Sequence, residues 1–241
     1  MNTNLTDRST VVVGGSRGLG RGIALAFASA GAHVVAVARN PFTIDSVQTE
    51  TADAADPATA PRILGAYEPE ILIVVAGATP VSRPLHEHTW DTFSVHWQAD
   101  VKIAFGWVRE ALVRPLPPGS RVVVVSSGAA VKGSPASGGY AGAKATQRFI
   151  AAYAQEESDR AGLGITVTAV LPVMTPAGGV GREGIRAYAA RSGQTEDALT
   201  AGLGQLLTAE AAGAAVVELV RADPADTAPA YLLTGSGLIA S

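Results

Sequence analysis

Tyr140 and Lys144 stand four residues apart in "GGYAGAKAT", and Ser126 and Ser127 close the apolar run "RVVVVSS" just upstream. A four-residue spacing puts Tyr140 and Lys144 on one face of a helix. A free phenol ionises near pH ~10 and is a poor acid–base group at neutral pH. A neighbouring ammonium favours the phenolate, so the pair has the makings of a general acid/base. By itself the same pair is more often a solvated helix face. The elements around it have to decide.

Those elements alternate. Apolar runs rich in Val and Ile occupy 9–13, 33–38, 71–75, 121–125 and 165–171, with a weaker run at 46–53 and a last one at 230–235. Continuous runs of this kind are the pattern of parallel strands buried on both faces. Helical stretches fall between them at 20–31, closed by Gly31, and at 91–113, 139–162 and 208–222. Strand–helix repetition predicts a single α/β domain over 1–241: a Rossmann-like, doubly wound parallel sheet of about seven strands with helices on both faces. The segment 173–206, rich in Gly, Ala and Arg, is expected to be a substrate lid.

The first strand runs into "VVVGGSRGLGRG". The spacing is Gly14-x-x-x-Gly18-x-Gly20, not G-x-G-x-x-G, but the physics is shared. Glycines allow close backbone approach, and the helix N-terminus offers free N–H groups to a pyrophosphate. Ser16, Arg17 and Leu19 belong to the same turn. A dinucleotide site for NAD usually carries an acid at the end of the second strand. Here that strand ends Ala38-Arg39. Two guanidinium groups, Arg17 and Arg39, suit a ribose 2′-phosphate, so the expected cofactor is NADP(H).

Composition narrows the field. Of 241 residues, 47% are hydrophobic and 16% charged, enough for a sizeable core. A net charge of -3 provides no basic field for nucleic acid. Cysteine is absent, which removes disulfide and thiolate chemistry. The polar start "MNTNLTDRST" has no signal-peptide core, and the run 71–78 is too short to span a bilayer. The expectation is a soluble cytoplasmic protein without membrane contact. His86-Glu87-His88 lacks a third ligand and reads as a polar loop, so no metal is expected. His96 and Trp97 in the long helix either line the pocket or face an interface.

With Gly14, Gly18, Gly20, Tyr140 and Lys144 in register, the chain resembles the short-chain dehydrogenase/reductase family over nearly its whole length. The turn matches T-G-x-x-x-G-x-G with Val13 for the leading Thr, and Tyr140-Ala-Gly-Ala-Lys144 matches Y-x-x-x-K. The resemblance implies that Ser127, thirteen residues before Tyr140, is the active serine, hydrogen-bonded to the substrate oxygen. It implies that Lys144 holds the nicotinamide ribose, that Asp53 in "TADAAD" meets the adenine, and that Ala76 and Gly77 border the cofactor. It also implies a small carbonyl or alcohol substrate, and a homodimer or homotetramer built on helices 91–113 and 140–154. Three departures stand out. Val74-Val75-Ala76-Gly77 replaces N-N-A-G, so packing must brace the central sheet. Asp100 stands where the family has an Asn whose main-chain carbonyl holds a water linked to the lysine; that role survives the exchange, while an ionised Asp100 adds a charge that shifts the pH optimum. The loop P-G-x-x-x-T is shortened to Pro172-Val-Met-Thr175, leaving Thr175 to reach the cofactor. Two functional classes remain: an NADPH-dependent carbonyl reductase, or a cofactor-binding sensor or non-redox enzyme on the same fold.

Overall fold

The computed structural model describes residues 5–176 and 178–241; Met1–Asn4 and Ala177, the latter inside the expected lid, lie outside them. Strand β1 (Ser9–Val13) leads through α1 (Gly18–Ser29) to β2 (His33–Ala38) and β3 (Gln48–Thr51). Helix α2 (Thr59–Tyr67) precedes β4 (Ile71–Val74), and α3 (Trp90–His96) and α4 (Lys102–Val113) follow it. Next come β5 (Arg121–Val125), the short α5 (Ala129–Lys132), α6 (Tyr140–Ala161) and β6 (Thr166–Pro172). The chain then runs through α7 (Gly179–Ser192), α8 (Glu196–Ala201) and α9 (Ala209–Arg221) to β7 (Ala230–Thr234) and β8 (Gly237–Ala240).

The strands form one sheet in the order β3-β2-β1-β4-β5-β6-β7-β8. Its first seven members are parallel, and β8 returns antiparallel to β7. Successive side chains on a strand point to opposite faces, and two cores result. Val11 and Val13 pack with Ile63 of α2, Trp107 of α4 and Ala151 of α6. Val12 packs with Phe27 of α1 and Val216 of α9. This is the doubly wound α/β architecture expected from the alternation.

Some expectations need correction. The sheet has eight strands, because β8 follows a tight turn after β7. The weak strand 46–53 contracts to β3. Helix α1 stops at Ser29 with Ala30 at its cap, and Gly31 follows at φ +90°. The single helix 91–113 is interrupted: Trp97–Val101 forms a π-helical segment between α3 and α4. Segment 173–206 carries the two helices α7 and α8. No helix among the described residues is long and apolar enough to cross a membrane.

The crossover from β3 back to β4 leaves β1 and β4 as neighbours whose connections run in opposite directions. Ligands of open α/β sheets bind at such a switch point, beyond the carboxyl ends of the strands.

Candidate active site

A cleft of 1470 Å³ opens at that end of the sheet, and it gathers residues from nearly every loop there. The expected cofactor residues Gly14, Ser16, Arg17, Gly18, Leu19, Gly20, Arg39, Asp53, Ala76, Gly77, Pro172 and Thr175 all line it, as do Asp100, Ser127, Tyr140 and Lys144.

The turn after β1 is tightly built. Gly14 sits at φ +94°, and a Cβ there would lie 2.6 Å from the Ala76 nitrogen. A Cβ on Gly20 would lie 2.1 Å from the Gly14 carbonyl oxygen. Helix α1 therefore starts directly against the turn. Arg17 at its cap makes no side-chain capping bond, and the first turn carries no acid. The early N–H groups are left to a ligand, as an anion site requires. Arg17 and Arg39 are both exposed at this rim, whereas the Asp53 carboxylate accepts the Ala55 N–H at 3.0 Å.

The cluster around Tyr140 and Lys144 is assembled by α6 and the π-helical segment. Ser126 Oγ donates to the Lys144 carbonyl at 2.7 Å and pins the start of α6 to the end of β5. Ser127 Oγ accepts from Ala129 N at 3.2 Å. Tyr140 is the first residue of α6 and half-buried, its ring edge-on to that of His96 at 5.0 Å between centroids. Lys144 Nζ lies 5.5 Å from the Tyr140 ring centroid.

Asp100 does more than its main chain was expected to do. Its carboxylate is fully buried, with Lys144 Nζ 3.1 Å from Oδ2 and His96 Nδ1 3.3 Å from Oδ1. The Ala78 N–H donates to Oδ1 at 2.7 Å. The carboxylate fits because residue 77 is glycine: a Cβ there would stand 2.8–2.9 Å from its atoms. Burial works against the ionised carboxyl, but Lys144, His96 and the Ala78 N–H outweigh it and hold Asp100 below its ordinary range. Burial likewise opposes the Lys144 ammonium, and the Asp100 carboxylate and Tyr140 outweigh it in turn, holding Lys144 above its ordinary range. The Asp100 carbonyl accepts the side-chain amide of Gln147 at 2.9 Å, where the family resemblance had implied a water.

His96 is thus a buried neighbour of Asp100 and Tyr140, while Trp97 is 41% exposed. His86 is exposed, and His88 turns inward, its Nδ1 3.1 Å from Thr92 Oγ1. Among the described residues no three His, Cys, Asp or Glu side chains gather as metal ligands. Sequence reasoning did not single out Gln147, nor Ser134 and Tyr188, whose hydroxyls meet at 2.8 Å and join α7 to the loop before Tyr140.

A sequence model of the short chain dehydrogenase family matches residues 8–184. The chain belongs to that family. It is 33% identical over 144 residues to L-xylulose reductase of Bos taurus, covering 55% of this chain and 58% of that one. The L-xylulose reductase of Mesocricetus auratus is 32% identical over 109 residues, covering 42% and 45%. The chain therefore aligns with about half the length of the curated relatives it matches. Among solved structures, a short chain dehydrogenase from Mycobacterium avium superposes with a TM-score of 0.78 at 19% identity, covering 99% of this chain and 85% of that one. One from Burkholderia cenocepacia J2315, in complex with NADP, gives 0.75 at 24%, covering 96% and 98%.

Proposed function

We propose that the chain is an NADPH-dependent oxidoreductase that reduces a small or medium-sized ketone to an alcohol. The observation that carries this reading is that Ser127, Tyr140 and Lys144 line the same cleft as the glycine turn. The open N–H groups of α1 and the tight Gly14–Gly20 contact fit a dinucleotide pyrophosphate. NADPH, when bound, supplies the hydride. Tyr140 gives its hydroxyl proton to the substrate oxygen, Ser127 hydrogen-bonds the same oxygen, and Lys144 holds the ribose beside the Tyr140 ring. Helix α7 and the segment after α8, which line the cleft, cover the substrate. The test is NADPH oxidation against a panel of ketoses, simple ketones and 3-oxoacyl thioesters. Binding of NADPH with no reduction across the panel would transfer the reading to a cofactor-binding sensor or a non-redox enzyme on the same fold.

Cofactor choice rests on Arg17 and Arg39 at the rim. Charge-assisted hydrogen bonds to a 2′-phosphate contribute about 1.5–3 kcal/mol, or about ten- to a hundred-fold in affinity. NADPH is expected to bind more tightly than NADH by that factor, and Arg39→Asp to erase or invert the preference. Identical titration curves for the two cofactors would contradict the assignment.

The same reading includes a homodimer or homotetramer. Phe105 on α4 and Phe149 and Tyr153 on α6 are more than half exposed, and the last two stack at 5.9 Å. An apolar surface of this kind is what a two-fold pairing of α4 and α6 would cover. Light scattering at micromolar concentration is expected to give at least twice the single-chain mass, and a monomer alone would refute the pairing.

A further inference from the structure

Gln147 is fully buried, and both ends of its side chain are committed. Its Oε1 accepts from Lys144 Nζ at 2.9 Å, and its Nε2 donates to the Asp100 carbonyl at 2.9 Å. The amide has one workable orientation. Reversed, it would set an NH₂ against the ammonium and an oxygen against a carbonyl oxygen. With the 3.1 Å ion pair between Lys144 and Asp100, these contacts close a ring: ammonium, amide, peptide carbonyl, carboxylate. The ring spans two elements, since Lys144 and Gln147 share a face of α6 while Asp100 lies in the π-helical segment. It lies behind the cleft, which Lys144 and Asp100 line and Gln147 does not.

We infer that Gln147 is a positioning residue for the proposed reaction, one that fixes where the Lys144 ammonium stands relative to Tyr140 and the cofactor ribose. A lysine side chain has four rotatable carbons' worth of freedom, and the ion pair to Asp100 alone constrains distance but little direction. The amide supplies the direction. It also anchors the main chain of the π-helical segment, so the carboxylate and the ammonium are held from both sides. This inference rests on the assignment of Lys144 to the ribose and Tyr140.

The test uses two variants of the whole protein, read by kcat and by NADPH affinity from cofactor fluorescence without substrate. Gln147→Leu keeps a side chain of similar bulk and removes both hydrogen bonds. It is expected to lower kcat about 10–100-fold, the scale of a misplaced catalytic group, and to weaken NADPH binding. Gln147→Glu separates positioning from packing. Ionised, that carboxylate opposes the Asp100 carbonyl and adds charge beside Asp100; protonated, its O–H donates to the carbonyl and its other oxygen accepts from Lys144. The titratable groups around it are Lys144, Asp100, Tyr140 and His96. The first three are common to the unmutated protein, as is His96, so the ratio of variant to unmutated protein isolates the new carboxyl. That ratio is expected to rise toward acid pH, for kcat and for NADPH affinity alike. A ratio flat with pH, or a folded Gln147→Leu with unchanged kcat and NADPH affinity, overturns the inference. Should the unmutated protein reduce nothing, the reading as a reductase fails, and the affinity ratio alone still decides the role of Gln147.

Discussion

Tyr140→Phe is expected to lower turnover about 10²–10⁴-fold, the usual contribution of a general acid/base, while NADPH affinity stays near that of the unmutated protein. The ring packs edge-on to His96 and remains there without its hydroxyl. Lys144, Asp100 and Gln147 keep their contacts, because none of them depends on the phenol oxygen. Ser127→Ala is the companion: it removes the hydroxyl proposed to meet the same substrate oxygen and is expected to lower turnover with cofactor binding intact. Steady-state rates with the best substrate of the panel, beside fluorescence titration of NADPH, check both. Near-full ketone reduction by Tyr140→Phe would show that the proton comes from elsewhere.

Lys144→Ala is expected to damage the fold as well as the chemistry. Asp100 is fully buried and Lys144 is its nearest cation. Removing one partner of a buried pair leaves an uncompensated charge, at about 3–5 kcal/mol. The sign with pH follows from the two directions of shift. Asp100, held below its ordinary value, contributes stability above the unfolded carboxylate pKa near 3.8, and that contribution is lost as pH falls through the folded value. Lys144, held above its ordinary value, contributes fully below the unfolded lysine pKa near 10.5 and loses it as pH rises through the folded value. The pair therefore stabilises across the neutral range. In Lys144→Ala the burial of Asp100 acts unopposed by the ammonium, so the carboxyl protonates more readily and the stability deficit shrinks toward acid pH. The double variant Lys144→Ala with Asp100→Asn is expected to recover much of the neutral-pH loss. Urea denaturation across pH checks this, and a deficit independent of pH, unrelieved by Asp100→Asn, would argue against the ion pair as its cause.

The parts of this molecule with strong local chemistry were legible in the sequence. Val- and Ile-rich runs marked five of the strands, and the glycines of the first turn marked the cleft. Strand β8, "GLIA", is four residues long and too short for alternation to register. Helix α2 begins without a capping side chain at Ala58 and holds Pro61 early, which hides its start. Helix α7 was obscured by Gly179, Gly181 and Gly184, and α8 by its six-residue length, in a stretch read as a lid. The π-helical segment leaves no propensity signal; its Asp100 carbonyl is met by Gln147 of α6, far along the chain. Asp100 was visible as an unusual residue at a known place, but its side-chain pairing needs α6 brought against it. Gln147 carried no local sign at all: it matters only because of what lies across from it.

The order of the sheet also governs when the nucleotide turn can exist during folding. Strand β1 pairs with β2 at a separation of some two dozen residues, Ser9 with His33, but its other edge waits for β4, Thr10 with Ile71. Non-local pairing of this kind slows folding, since chain closure precedes the contacts that reward it. The turn itself shares the delay. Gly14 is shaped by close approach to Ala76, two residues past the end of β4. A nascent chain that has made β1, α1 and β2 therefore holds every glycine of the turn without its final form. Cofactor affinity, in such a chain, is a late-arriving property that reports completion of the sheet's centre.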